Sequence, residues 1–142
     1  MREGDEAMRW QKDLLIILSK REDKKIALAV DTSTTDYPTE TISNIVKLVQ
    51  ELRPGTPLIL ADYKIRETAT TANHDIQYYT HGKSSYTEVL EWANENEIET
   101  LFYITDVTGY VLEEMEINYE LFWLIPGGFS PKVPFGKKLL IK

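Results

Sequence analysis

The sequence predicts an α/β fold: a mostly parallel central sheet flanked by helices on both faces, with an extra helix at the N-terminus. Three observations predict it. The runs Ile26 to Val30 and Leu101 to Thr105 are apolar without polar alternation, as expected of strands buried on both faces. Segments with helical periodicity alternate with such runs along the chain, the order of βα units. Both runs end at a carboxylate, Asp31 and Asp106, where open α/β sheets place their ligands.

The elements follow in order. Asp5 to Ser19 carries Ala7, Trp10, Leu14, Ile17 and Leu18 at helical spacing, with Arg9, Lys12 and Asp13 between them, and reads as an amphipathic helix. Lys20 to Lys25 is charged throughout and reads as a solvated linker. Residues 1–25 therefore form an N-terminal helix and linker, and residues 26–142 the main domain. After the Ile26 strand, Pro38 to Leu52 shows Ile42, Ile45, Val46, Val49 and Leu52 on one helical face. Pro38 suits its first turn, and Arg53-Pro54-Gly55 stops it.

Leu58 to Ala61 is a second strand, ending at Asp62. Lys64 to Tyr79 is an edge excursion: Thr68 to Thr71 and Ile76 to Tyr79 favour extended backbone, with Asn73-His74-Asp75 as a turn. Ser85-Tyr86-Thr87-Glu88 has the spacing of a capping box, so a helix is expected from Ser85 to about Asn96, its core face formed by Val89, Leu90, Trp92 and Ala93. Leu101 to Thr105 follows as a strand, Val111 to Ile117 as a short helix, then Leu121 to Ile125 and Lys138 to Ile141 as strands.

Composition narrows the function. The 142 residues suffice for one domain with a sizeable core. The net charge of −7 disfavours nucleic acid, which needs clustered Lys and Arg. With no cysteine, disulfides and thiolate metal sites are excluded. Leu14 to Leu18 is too short to span a bilayer and is not followed by a signal-peptide cleavage site. No membrane association and a cytoplasmic location are the expectation.

Asp31, Ser33 and Thr35 offer only hard oxygen donors, the chemistry of Mg²⁺ or Mn²⁺. If the strands of Asp31 and Asp106 are parallel neighbours, both carboxylates share one sheet edge with the helix start at Lys83-Ser84-Ser85. Gly82-Lys83-Ser84 is not a phosphate loop, because Gln77 stands where that motif needs its first Gly. A phosphoaspartyl hydrolase would need an acid/base carboxylate at Ser33, so a small Mg-dependent hydrolase using Asp31 is a weak alternative. His74 and His81 are too few for zinc. Trp10, Trp92 and Trp123 lie on apolar faces and are expected in the core. Glu113 to Glu116 is expected to be a solvated face.

The motifs IALAVDTSTT, GKSSYTEVLEW, LFYITDVTGY and LFWLIPGGF…PFGKKLLI resemble a von Willebrand factor A (VWA)-like domain. More narrowly, they are similar to the VWA-like domain at the C-terminus of bacterial predicted metallopeptidase-like proteins. The resemblance runs from about Ile26 to the end and implies a Rossmann-like sheet. It also implies a metal-ion-dependent adhesion site (MIDAS): Asp31, Ser33 and Thr35 on the first loop, Ser84 on the second and Asp106 on the third. Mg²⁺ or Mn²⁺ there would leave one coordination position for an acidic residue of a protein partner, with Lys83 and Val107 beside it as partner-binding residues.

The resemblance implies a binding module rather than an enzyme, and a MoxR-type AAA+ ATPase as the kind of partner. The narrower family has Gly where this chain has Thr34 and Val107, and G-G-T-D where it has Gly82-Lys83-Ser84-Ser85. A degenerate, metal-free scaffold is therefore the alternative. No H-E-x-x-H pair is present, so no zinc-protease chemistry carries over.

Overall fold

The computed structural model describes residues 9–32, 39–62, 64–72, 76, 85–105, 107, 115–126, 131–133 and 135–141. Three helices, α1 (Arg9–Ser19), α2 (Thr39–Leu52) and α3 (Thr87–Glu95), accompany six strands. The strands are β1 (Ile26–Asp31), β2 (Pro57–Ala61), β3 (Ile65–Thr70), β4 (Thr100–Ile104), β5 (Glu120–Pro126) and β6 (Lys137–Ile141).

The strands form one sheet in the order β3-β2-β1-β4-β5-β6. All neighbours are parallel except β2 and β3, which run antiparallel. Within the edge excursion, β3 is a hairpin strand against β2, with a register shift at Leu60/Ala61, while the expected turn at Asn73 to Asp75 and the extended residues 77–79 lie outside the described residues. The chain starts at the centre, winds out to β3 and returns to the other side of β1 at β4. The order reverses between β1 and β4, making their carboxyl ends the switch point where doubly wound sheets open a crevice.

Alternation along each strand divides the core into two layers. Leu28, Val30, Leu58, Leu60, Phe102, Ile104 and Leu124 face Trp10, Leu14 and Leu18 of α1 and Ile42, Ile45, Val46 and Val49 of α2. Ala27, Ala29, Ile59, Leu101, Tyr103 and Trp123 share the other layer with Val89, Leu90 and Ala93 of α3. Both faces of the sheet are covered, which is why β1 and β4 read as unbroken apolar runs. Trp10 and Trp123 are buried as expected, and Trp92 is half-buried against the α3 layer.

Three local expectations are corrected. Lys20 to Lys25 is not a free linker. Arg21 donates to both carboxylate oxygens of Glu120 at 2.5 and 2.7 Å and lies 5.1 Å from the Phe122 ring centroid. Arg53 donates to the carbonyls of Arg21 and Lys24. These bonds fix the exit of α1, whose apolar face is already part of the core.

The capping box does not form. α3 begins at Thr87 with Tyr86 at its N-cap, without a side-chain cap bond. The Glu88 carboxylate instead accepts the Ile65 N–H at 3.1 Å, satisfying a donor of the edge strand. In the expected helix over Val111 to Ile117, the described residues Met115 to Ile117 are irregular. Residues 5–8, Pro38 and 111–114 of the expected helices lie outside the described residues. Among the described residues no helix is long and apolar enough to cross a membrane.

Candidate functional site

Asp31 is the last residue of β1 and is fully buried. Val30 pairs with Ile104, the last residue of β4, and Thr105 follows it. Parallel pairing sets Thr105 beside Asp31 on the α3 side of the sheet, and its hydroxyl donates to Asp31 Oδ2 at 2.7 Å. The same hydroxyl oxygen accepts the Val107 N–H at 3.1 Å and lies 2.9 Å from the Tyr86 hydroxyl.

A threonine hydroxyl carries one proton and two lone pairs. Its proton goes to Asp31, so the Tyr86 O–H donates to Thr105. The result is a directed chain, Tyr86 to Thr105 to Asp31, buried at every member. The Tyr86 ring is held edge-on to Tyr103 and Trp123, with centroids 5.2 and 5.4 Å away.

Two further features mark this edge. Val107 has φ +59°, a left-handed backbone that costs a branched residue roughly 1–2 kcal/mol. It is half-buried against the α3 layer. Thr32 is fully buried; its N–H donates to the Ala61 carbonyl at 2.8 Å, and its hydroxyl has no hydrogen-bond partner among the described residues. A buried hydroxyl left in that state costs about 1–3 kcal/mol.

Asp62, one residue beyond β2, ends on the same edge and is 1% exposed. Arg66 donates to both its oxygens at 2.9 Å, and the Lys64 N–H adds a third bond at 3.3 Å. Burial by itself raises the Asp62 pKa and is the largest single influence, but these bonds together outweigh it and hold the carboxyl below its ordinary range. Asp62 is therefore committed to closing the β2–β3 turn. Its carbonyl accepts the Ser85 N–H at 3.3 Å, which tethers the chain leading into α3 to the edge that carries Asp31.

Of the residues expected at the site, Asp31 lies at the switch point and Val107 beside it. Ser33, Thr35, Lys83, Ser84 and Asp106 lie outside the described residues, as do His74 and His81. Among the described residues no group of three or more His, Asp or Glu could hold a metal. The one site residue described that could ligate a metal, Asp31, offers a carboxylate, a hard oxygen donor of the kind Mg²⁺ and Mn²⁺ take.

Sequence reading missed Thr105, Tyr86 and Thr32. The apolar run placed Thr105 inside a strand, although the parallel pairing of the two runs already sets it level with Asp31. Nothing in the capping-box spacing pointed to the Tyr86 hydroxyl.

A groove of about 710 Å³ lies at the opposite edge, over the amino ends of β4 and β5. The Arg21–Glu120 pair lines it, and its second carboxylate, Glu99, accepts the Lys25 N–H at 2.7 Å. Its charged groups hold α1 in place, far from Asp31.

A doubly wound sheet with a carboxylate fixed at its switch point defines a class of Rossmann-like domains that place ligands on the first βα loop. Within that class the chain belongs to the VWA-like domain (DUF2201) family, whose model matches residues 26–142. No curated protein and no solved structure gives a significant match.

Proposed function

We propose that this VWA-like domain is a protein-interaction module with a MIDAS-like divalent metal site, not an enzyme. Asp31, Ser33, Thr35, Ser84 and Asp106 would hold Mg²⁺ or Mn²⁺, and an acidic residue of the partner would complete the coordination. The supporting observation is the Asp31 carboxylate, oriented by Thr105 at the β1/β4 switch point. A partly hydrated hard cation needs oxygen ligands already in place, because Mg²⁺ tolerates little departure from octahedral geometry. A MoxR-type AAA+ ATPase is the proposed kind of partner, on the family resemblance alone.

The test is a titration of the full chain with Mg²⁺ and Mn²⁺, followed by thermal melting and calorimetry. A ligand of the native state raises apparent stability, by about 2.7 kcal/mol at a hundredfold excess over Kd. The expected result is a rise that Asp31→Ala abolishes. Unchanged melting and no binding heat at millimolar metal would remove the metal role.

A second reading, a metal-free scaffold, draws on two features. The Thr105 hydroxyl already supplies Asp31 with a donor, and Val107 occupies a backbone position suited to Gly. Affinity capture in Mg²⁺ and again in chelator separates the two, since capture that survives chelation supports the scaffold.

A further inference from the structure

We propose that Tyr86 is a positioning residue of the Asp31 site, acting through Thr105. This rests on the reading of Asp31 as a cation-site residue and adds to it a group from a different element, the start of α3.

The argument is one of hydrogen-bond supply. The Thr105 proton is spent on Asp31, and its oxygen accepts from Val107 and Tyr86. All three bonding positions of the hydroxyl are filled, so neither its rotamer nor its proton direction is free. Donation by a phenol also polarises the threonine O–H and strengthens its bond to the carboxylate. The Tyr86 ring cannot swing away, because Tyr103 and Trp123 hold it edge-on within the buried layer. Tyr86→Phe therefore removes the hydrogen bond to Thr105 and keeps the ring in its packing.

The chain also ties the site to a helix. Tyr86 is the N-cap residue of α3, so a ligand that pulls on Asp31 pulls, through two hydrogen bonds, on the start of that helix.

The experiment is calorimetric Mn²⁺ binding to the full chain and to four variants: Tyr86→Phe, Thr105→Val, Thr105→Ser, and Tyr86→Phe combined with Thr105→Val. Loss of one buried neutral bond corresponds to about a fivefold change in affinity. Tyr86→Phe is expected to weaken Mn²⁺ binding by about that factor and Thr105→Val by about tenfold or more, while Thr105→Ser stays within about twofold. The double variant is expected to match Thr105→Val alone. Wild-type affinity in Tyr86→Phe overturns the proposal, and so does a Tyr86→Phe loss that persists undiminished on top of Thr105→Val.

Urea unfolding supplies a readout that needs no metal. In a cycle of Asp31→Asn and Tyr86→Phe, the folding constants are expected to depart from additivity by about twofold or more, and to return to it when Thr105→Val is added. If wild type takes no Mn²⁺, the metal reading falls and the cycle alone decides, with full additivity overturning the proposal.

Discussion

Thr105 and Asp31 lie 74 residues apart in the chain, yet the Thr105 hydroxyl reaches Asp31 Oδ2 at 2.7 Å with both residues fully buried. The contact exists because β1 and β4 are parallel neighbours in register at Val30 and Ile104. Thr105→Val keeps the bulk and removes the hydroxyl, so an acceptor on Asp31 and the donors of Tyr86 and Val107 lose their shared partner. Losing these buried bonds costs about 1–3 kcal/mol. Urea denaturation of Thr105→Val is expected to show a loss in that range at unchanged slope, and Thr105→Ser a loss below about 1 kcal/mol.

The acid limb of stability follows from two ion pairs. The hydrogen bonds from Arg21 hold the Glu120 carboxyl below its ordinary range, more than offsetting its partial burial, and Lys137 at 3.6 Å adds to the effect. Asp62 is also held low. A carboxyl whose folded pKa lies below its unfolded value contributes stability that is complete above the unfolded value and is lost as pH falls through the folded one. Unfolded carboxyls titrate near pH 4, so stability is expected to drop from about pH 5 downward. Glu120→Gln should lower stability at pH 7 by about 1 kcal/mol and flatten part of that drop. A melting series from pH 7 to pH 3 checks both.

How much of this was legible in the chain depended on whether the signal was local. The unbroken apolar runs marked β1, β4 and β5 because both faces of those strands are covered. Asp31 stood out because it ends one of them. The failures came from partners distant in sequence. Glu88 has the spacing of a cap, but the unpaired Ile65 N–H of the edge strand competes for its carboxylate and wins. Arg21 sits in a charged run that looks like solvent-facing linker, and Glu120 and Phe122, distant in sequence, help make it a fixed residue. Thr105 and Tyr86 are ordinary in composition. Thr105 could be found only by pairing the two apolar runs in register, and Tyr86 owes its role to a ring wedged between two others, which leaves no pattern in the sequence.

Two glycines share a left-handed backbone and differ in what surrounds them. Gly136 has φ +80°, and a Cβ there would meet the Leu121 carbonyl oxygen at 2.9 Å and Trp123 Nε1 at 3.1 Å. That indole N–H donates to the Phe135 carbonyl at 2.8 Å, so it cannot move aside without losing a bond. Gly55 has φ +78° and nothing within 4 Å of its Cβ position. Gly55→Ala is therefore expected to cost only the backbone penalty, about 1–2 kcal/mol. Gly136→Ala adds a steric clash and a strained hydrogen bond, for a total of about 3 kcal/mol or more. Thermal denaturation of the two variants side by side tests the difference, and equal losses would contradict this account of Gly136.

Val107 is the position at which backbone and side chain disagree. Its φ of +59° disfavours a branched residue, while its side chain is half-buried against the α3 layer. Val107→Gly relieves roughly 1–2 kcal/mol of backbone strain and gives up the packing of a partly buried side chain, about 1 kcal/mol, together with about 0.5–1 kcal/mol of chain entropy. These contributions nearly cancel. The expected outcome is a stability within about 1 kcal/mol of wild type, although a buried Val truncated elsewhere in this core would lose several times that. Val107→Ala keeps the strain and loses packing, so it should be the less stable of the two variants. Urea denaturation of both, at constant pH and salt, decides whether the left-handed backbone at the end of β4 is stored strain or is fully relaxed by its surroundings.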